Sequence, residues 1–315
     1  KFFQDPKYLG RAFFPSNNED VSAGYVGAGG DLYLNIDSKA NSYTSYEPGS
    51  QGWFLLLHEL GHVLGLKHPH DDGGTGRPTF EELNRGELND DTTTVMSYED
   101  TTESLNEVSY DPATPMILDV LALQYLYGKN TSTNSGDTTF DLAANEGYYL
   151  THWDADGDDL IDATNTSSGW QIVLPTVTGS ALIDTQVGWA YSLSPNGTVN
   201  DETRVWLAGE IENATGSRFD DALTGNTLDN SLHGGAGNDT IDGGAGDDVL
   251  IGGAGDDTII LESNGTFGSD LFAYNTTSSV QAGTEESINL DGKTRFGDVM
   301  NGGADVDTVE LTDGS

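Results

Sequence analysis

Cysteine is absent from the chain. Neither a disulfide framework nor a thiol nucleophile is available, so an extracellular role has to be argued from something other than disulfides. Positive charge is scarce: 12 Lys and Arg stand against 52 Asp and Glu, a formal charge of −40. Such a field repels nucleic acid and anionic lipid surfaces, and neither is expected as a partner. Long apolar runs are missing too; no stretch of about 18 such residues occurs, so no segment reads as a membrane-spanning helix. The chain begins at Lys1 rather than Met and shows no signal peptide, which reads as a processed or trimmed product. What is present is a hydrophobic content of 35% over 315 residues, enough for packed cores and for two domains.

Histidine is rare as well, yet His58, His62 and His68 fall close together in His58-Glu59-Leu60-Gly61-His62-Val63-Leu64-Gly65-Leu66-Lys67-His68. A helix from Trp53 to Leu64 would set His58 and His62 one turn apart, with both imidazoles projecting toward a common point. Leu56, Leu60 and Val63 lie on another side of that helix, where they would seat it on a core. Gly65 is expected to take a backbone conformation closed to residues with a Cβ, turning the chain so that His68 supplies a third nitrogen. Three neutral imidazoles leave a coordination position for water, the arrangement of catalytic rather than structural zinc. Glu59, next to a ligand but rotated off its face, is placed to take a proton from that water as it attacks a carbonyl. A bare HExxH also arises by chance on amphipathic helices; the added Gly65 and His68 give the long zinc motif of the metzincin peptidases, whose second mark is a methionine turn. Thr94-Val95-Met96-Ser97-Tyr98 offers that turn, with Met96 as an apolar floor beneath the imidazoles; an ordinary core methionine is the alternative.

Further along, glycine and aspartate become periodic. Nine-residue units start at Gly216, Gly225, Gly234, Gly243 and Gly252. This period is that of the RTX parallel β-roll, in which each half-turn is a glycine-rich loop followed by a very short strand. The eighth residues, Leu223, Leu232, Ile241, Leu250 and Ile259, are expected to point inward as a stacked core. Sixth-position Asp239, Asp248 and Asp257, fifth-position Asn238, Asp247 and Asp256, and the carbonyls of Gly234, Ala236, Gly243, Ala245, Gly252 and Ala254 are candidate ligands for several structural calcium ions. Without calcium the carboxylates repel, and the roll should unfold. A flexible glycine linker is the alternative, against which the in-phase apolar eighth residue argues. Gly302-Gly303-Ala304-Asp305-Val306-Asp307 reads as one further, degenerate unit.

Pro69 directly after the third His, the Met-Ser-Tyr turn, the lack of cysteine and the downstream repeats together resemble the serralysins (peptidase family M10B). These are secreted bacterial zinc endopeptidases of the metzincin clan, and the resemblance runs over nearly the whole chain from about Arg11. It implies that Tyr98 is a zinc ligand in the resting enzyme and swings away to help stabilise the transition state. It implies that Gly30, Asp31, Leu32, Tyr33 and Leu34, in an alternating stretch before the zinc helix, form an edge strand that binds the substrate backbone, an ordinary edge strand being the alternative. It places a calcium site at the junction, with Asp154, Asp156 and Asp159 as candidate ligands; a solvated turn is the other reading. A helix from Pro115 to Tyr127 resembles the last helix of the serralysin catalytic domain, with Asp119 as a dipole partner rather than a catalytic acid. The long irregular connection from Pro69 to Asp91 is expected to wall the substrate cleft.

The fold class expected is therefore an α+β metzincin-like zinc peptidase domain over residues 1–130, a β-rich junction over 131–215, and an all-β parallel β-roll over 216–315. A serralysin catalytic domain has more before its zinc helix than the 57 residues here, including an N-terminal helix and the first strands. Either a cleaved N-terminal fragment of the same precursor stays bound as a partner, or the sequence starts partway through the protein. No C-terminal segment for type I secretion is seen, so that end is expected to be trimmed as well. The function expected is a secreted endopeptidase acting on protein and peptide substrates, exported by a bacterial type I route, with one catalytic zinc and several structural calcium ions. Two other classes compete. One is an RTX adhesion or binding module with a non-catalytic zinc site, for which Glu59 would have no use. The other is a different RTX enzyme, such as a polysaccharide-modifying one, for which the chain offers no long parallel-helix repeat.

Overall fold

The computed structural model describes residues 2–3, 10–12, 32–35, 46–71, 76–99, 111–177, 186–262, 271–273, 289–290, 293–294 and 308–312. Gly30, Asp31 and the degenerate unit at 302–307 lie outside them. The chain forms two compact units, Lys1–Lys129 with Gly147–Thr151, and Asn130–Glu146 with His152–Ser315.

The first unit contains three short strands, β1 (Phe2–Phe3), β2 (Gly10–Ala12) and β3 (Leu32–Asn35). Their order is β1-β3-β2, with β1 parallel and β2 antiparallel to β3. The strand expected at the edge is thus the middle one: Leu34 pairs with Phe2 on one side and with Gly10 on the other. Strand addition needs a free edge. Strand addition at Leu32, Tyr33 and Leu34 therefore lacks a free edge among the described residues, and Gly30 and Asp31 lie outside them.

The histidine-bearing helix α1 spans Gln51–Val63, and its first turn is capped by Ser50, whose side chain accepts from Trp53 N–H. The expected seating by Leu56, Leu60 and Val63 is found only in part, Leu56 and Val63 being half-buried. Leu60 is 41% exposed, and the helix packs instead through Leu57 and Gly61, one step further round. At Gly61 a Cβ would run into Met96 Sδ, so glycine there lets the methionine lie against the helix backbone. Helix α2 spans Ile117–Tyr127, with Asp119 in its first turn and Gly128 past its end at φ +92°, as the capping signals predict. Between the helices, the described residues 69–71 and 76–91 contain turns and a 3-10 turn at Gly86–Leu88.

The second unit is made of strands: β4 (Thr139–Asp141), β5 (Tyr149–Trp153, its last two residues in this unit), β6 (Leu160–Asp162), β7 (Trp170–Val177), β8 (Gln186–Leu193), β9 (Val199–Ala208) and β10 (Asn213–Thr215). Then come β11 (Ala222–Asn226), β12 (Ser231–Ala236), β13 (Thr240–Gly244), β14 (Val249–Ala254), β15 (Thr258–Glu262), β16 (Leu271–Ala273), the hairpin β17 (Asn289–Leu290) and β18 (Lys293–Thr294), and β19 (Thr308–Thr312). Successive repeat strands go to alternate sheets. One sheet is all parallel in the order β16-β14-β12-β10-β6-β4; the other runs β19-β15-β13-β11-β7-β8-β9-β5.

Register explains the repeat length. Leu223 pairs with Ile241 and Ile241 with Ile259, while Leu232 pairs with Leu250, so one coil takes two nine-residue units. All five eighth-position side chains are buried. Each fully buried Leu or Ile contributes about 1.5–3 kcal/mol, and the stack extends into the first strands of the unit through Ile161 and Ile172.

Candidate metal centre

Local chain geometry brings the three histidines together. Helix α1 ends in a Schellman motif: Leu66 N–H donates to Gly61 C=O at 2.9 Å and Gly65 N–H to His62 C=O at 3.0 Å. Gly65 sits at φ +99°, as its place in the motif requires. The turn it makes delivers His68 to the face carrying His58 and His62. His68 Nε2 lies 3.1 Å from His58 Nε2 and 3.1 Å from His62 Nε2.

The other ring nitrogen of each histidine faces an acceptor. His58 Nδ1 donates to Val95 C=O at 2.6 Å, His62 Nδ1 to Leu66 C=O at 2.9 Å, and His68 Nδ1 to Asp71 Oδ2 at 2.5 Å. These contacts put the ring protons on Nδ1 and leave three Nε2 lone pairs converging, an arrangement that repels itself unless a cation lies among them. Burial, and then neighbouring His62, lowers the His58 pKa to about 3, so the ring stays in the neutral, ligating form. The donor set therefore fits zinc. Asp71 is a residue the sequence reading missed; its only sequence signal is the spacing of three from His68.

Met96, of the expected methionine turn, is buried and lies against Gly61. The Tyr98 ring stacks on His58, centroids 5.3 Å apart, and leans on His68 at 4.5 Å, while remaining 65% exposed. Burial, reinforced by Glu59 and Asp71, raises the Tyr98 pKa and favours its neutral phenol. Glu59 is buried, and desolvation alone raises its carboxyl to about 7, the range in which a carboxylate can both take and return a proton. Asp119 does more than face its own helix dipole. It accepts from Met116 N–H, Val95 N–H and Thr94 Oγ1. Burial pushes its carboxyl up to about 6 against the downward pull of those bonds.

Carboxylates of the second unit are stacked in two ladders. At the sixth position Asp221 N–H donates to Asp239 Oδ1 at 2.8 Å, and Asp239 N–H to Asp257 Oδ1 at 3.0 Å. At the fifth, Asn238 N–H donates to Asp220 Oδ1, Asp247 N–H to Asp229 Oδ1 and Asp256 N–H to Asn238 Oδ1. The second sixth-position oxygen turns inward over the unit's first glycine, at Gly234, Gly243 and Gly252, where a Cβ would strike it. Asp239 Oδ2 is buried and has no partner, and burial together with neighbouring acids raises this carboxyl to about 8. Such a group is kept ionised only by a cation.

One coil differs. Asn230 occupies over Gly225 the seat that aspartate takes elsewhere. Its Oδ1 accepts from Asn226 N–H, and its Nδ2 donates to Glu212 C=O and Asn226 Oδ1. Asn226 Nδ2 in turn donates to Pro175 C=O and Ile211 C=O, so this amide pair is self-satisfied.

At the junction, Asp154 and Asp159 are each 0% exposed, and each has an Oδ2 with no partner. Burial, then the nearby Asp159 carboxyl, raises Asp154 to about 7. Asp156 is exposed; what faces Asp154 is its N–H, at 3.0 Å from Oδ1. Glu212, missed in the sequence, joins the cluster by accepting from Asp159 N–H at 3.0 Å. Its position one coil length before Asn230 was the available signal.

Comparison with known proteins accords with both halves. Residues 4–126 match a model described as a metallo-peptidase family M12B reprolysin-like domain. Residues 224–259 match the RTX calcium-binding nonapeptide repeat in four copies. The chain is 34% identical over 165 residues to the metalloprotease AprA of Pseudomonas entomophila (strain L48), covering 46% of this chain and 33% of that protein. It is 36% identical over 134 residues to a serralysin of Proteus mirabilis, 38% of this chain and 27% of that protein. With a serralysin C of Dickeya chrysanthemi it shares 34% identity over 205 residues, 60% of this chain and 38% of that protein. The chain thus spans about a third of the length of the curated relatives it matches.

Proposed function

We propose that this chain, a serralysin-type metzincin with RTX repeats, is a secreted zinc endopeptidase that hydrolyses protein and peptide substrates. The observation that carries the reading is the convergence of three Nε2 atoms, each with its Nδ1 held by an acceptor, beside the buried Glu59. A structural zinc site would have no use for that glutamate.

His58, His62 and His68 would hold the zinc, with Tyr98 as a further ligand at rest; bound there, the metal supplies Lewis acidity toward water and the scissile carbonyl. Glu59 takes the proton from the attacking water and returns it to the leaving amine. The Tyr98 phenol, exposed at the surface, donates a hydrogen bond to the oxyanion as it forms. Met96 keeps the floor beneath the imidazoles apolar.

The same reading makes the first unit an α+β metzincin-like domain and the repeats a parallel β-roll. Calcium is held in the roll by Asp239, Asp248 and Asp257 with the carbonyls of Gly234, Ala236, Gly243, Ala245, Gly252 and Ala254. The ladder residues Asn238, Asp247 and Asp256 complete the loops. A further ion at the junction is taken by Asp154, Asp159 and Glu212, while the Asp156 N–H, bonded to Asp154 Oδ1, steadies that carboxylate. Export by a bacterial type I route accompanies such repeats.

Casein hydrolysis, followed through removal of zinc by a selective chelator and its restoration, tests the reading. Activity should be lost and regained with about one zinc per chain. A chain that takes up zinc yet never cleaves would refute the peptidase and favour a binding module.

A further inference from the structure

We propose that Asp119 is a positioning residue for the metal centre: from the start of α2 it fixes the methionine turn, and the turn in its place holds the imidazole of His58. The proposal rests on the zinc reading of the three-histidine site and deepens it.

Asp119 is 2% exposed in the first turn of α2. Its Oδ2 accepts from Met116 N–H at 2.9 Å, which closes its own helix terminus, and from Val95 N–H at 2.8 Å. Its Oδ1 accepts from Thr94 Oγ1 at 2.6 Å, and that hydroxyl oxygen accepts from Met96 N–H at 3.1 Å. Leu118 N–H adds a bond to Thr93 C=O at 3.0 Å. A residue that served only as a helix cap would need the Met116 bond alone. The other two leave the helix and fasten residues 94 and 95.

Val95 is then held at both of its polar atoms. Its N–H is taken by Asp119, and its C=O receives His58 Nδ1 at 2.6 Å. Groups that orient a ligating histidine in this way change metal affinity by about 10- to 100-fold when removed.

The experiment uses the full chain with Asp119→Ala and Asp119→Asn. It measures zinc affinity by chelator competition, the visible spectrum of the cobalt-substituted form, and thermal unfolding of the metal-free chain. Asparagine keeps a carbonyl oxygen that can accept from both Val95 and Met116. Alanine should weaken zinc binding about 10- to 100-fold and change the cobalt spectrum, and asparagine should bring both back close to wild type. The proposal is overturned by an alanine variant with unchanged zinc affinity and spectrum, or by an asparagine variant as impaired as the alanine one. If the alanine variant does not fold, Thr94→Val removes the hydroxyl link alone: a several-fold weaker zinc affinity supports the proposal, and unchanged affinity overturns it. A wild-type chain that takes up no zinc overturns the metal reading as well, which separates that failure from the failure of the Asp119 assignment.

Discussion

Glu59→Gln should bind zinc as the wild type does and hydrolyse casein about 10²- to 10⁴-fold more slowly, the range that general-base catalysis contributes. The substitution conserves the size of the side chain and its buried place on α1, and it touches none of the three imidazoles. What it removes is the carboxylate. Desolvation has raised that group to about 7, so it can accept a proton and give it up within one turnover at neutral pH. Glutamine can do neither. Tyr98→Phe provides the contrast: loss of one oxyanion donor should cost about 10²- to 10³-fold in kcat with KM little changed. The ring would still stack on His58. Zinc content, KM and kcat measured on both variants check the assignment. A glutamine variant with near-normal turnover would remove Glu59 from the chemistry, and a phenylalanine variant altered only in KM would do the same for the phenol.

Chelating calcium with EGTA should abolish most of the strand structure of the repeats. The argument is one of magnitudes. Each coil of two units buries two eighth-position side chains worth about 1.5–3 kcal/mol apiece. Against them stands backbone ordering of about 1–2 kcal/mol per residue, offset only in part by ladder hydrogen bonds of about 1 kcal/mol net. An unpaired buried carboxylate adds several kcal/mol more of cost. Asp239, with one oxygen in the ladder and the other without a partner, is where that cost concentrates. Far-UV circular dichroism during EGTA addition, and then during calcium return, measures the effect. The β-strand signal should fall and recover together with bound calcium. A spectrum and melting temperature indifferent to EGTA would show that the inward carboxylates are satisfied some other way.

Much of this was legible in the letters because it is local. The spacing from His58 to His68, the positive φ of Gly65, the ends of α2 and the burial of Leu223 to Ile259 follow from periods and caps that act within a few residues. The parts that failed are those settled by distant chain. Leu60 and Leu57 are equally apolar, and it is packing by distant chain, Met96 against Gly61 among it, that covers the flank of Leu57. The stretch at Leu32–Asn35 alternates as an edge strand would, but Phe2–Phe3, about 30 residues away, closes its other side. Asp119 was visible as a helix-terminus acid; its reach to Val95 was not, because nothing in either segment names the other. Glu212 carries no motif of its own, and only the coil register brings it beside Asp159.

The amide pair of Asn226 and Asn230 gives the repeats a direction. Asp239 over Gly234 keeps one oxygen without a partner, whereas asparagine brings its own donors and acceptors, so the seat over Gly225 is filled without metal. It presents a finished edge on the side where Asp248 already reaches back to Asn230 N–H at 2.8 Å. The seat at Asn230 thus needs no metal, while a later one in the chain, that of Asp239, turns inward an oxygen that calls for a cation.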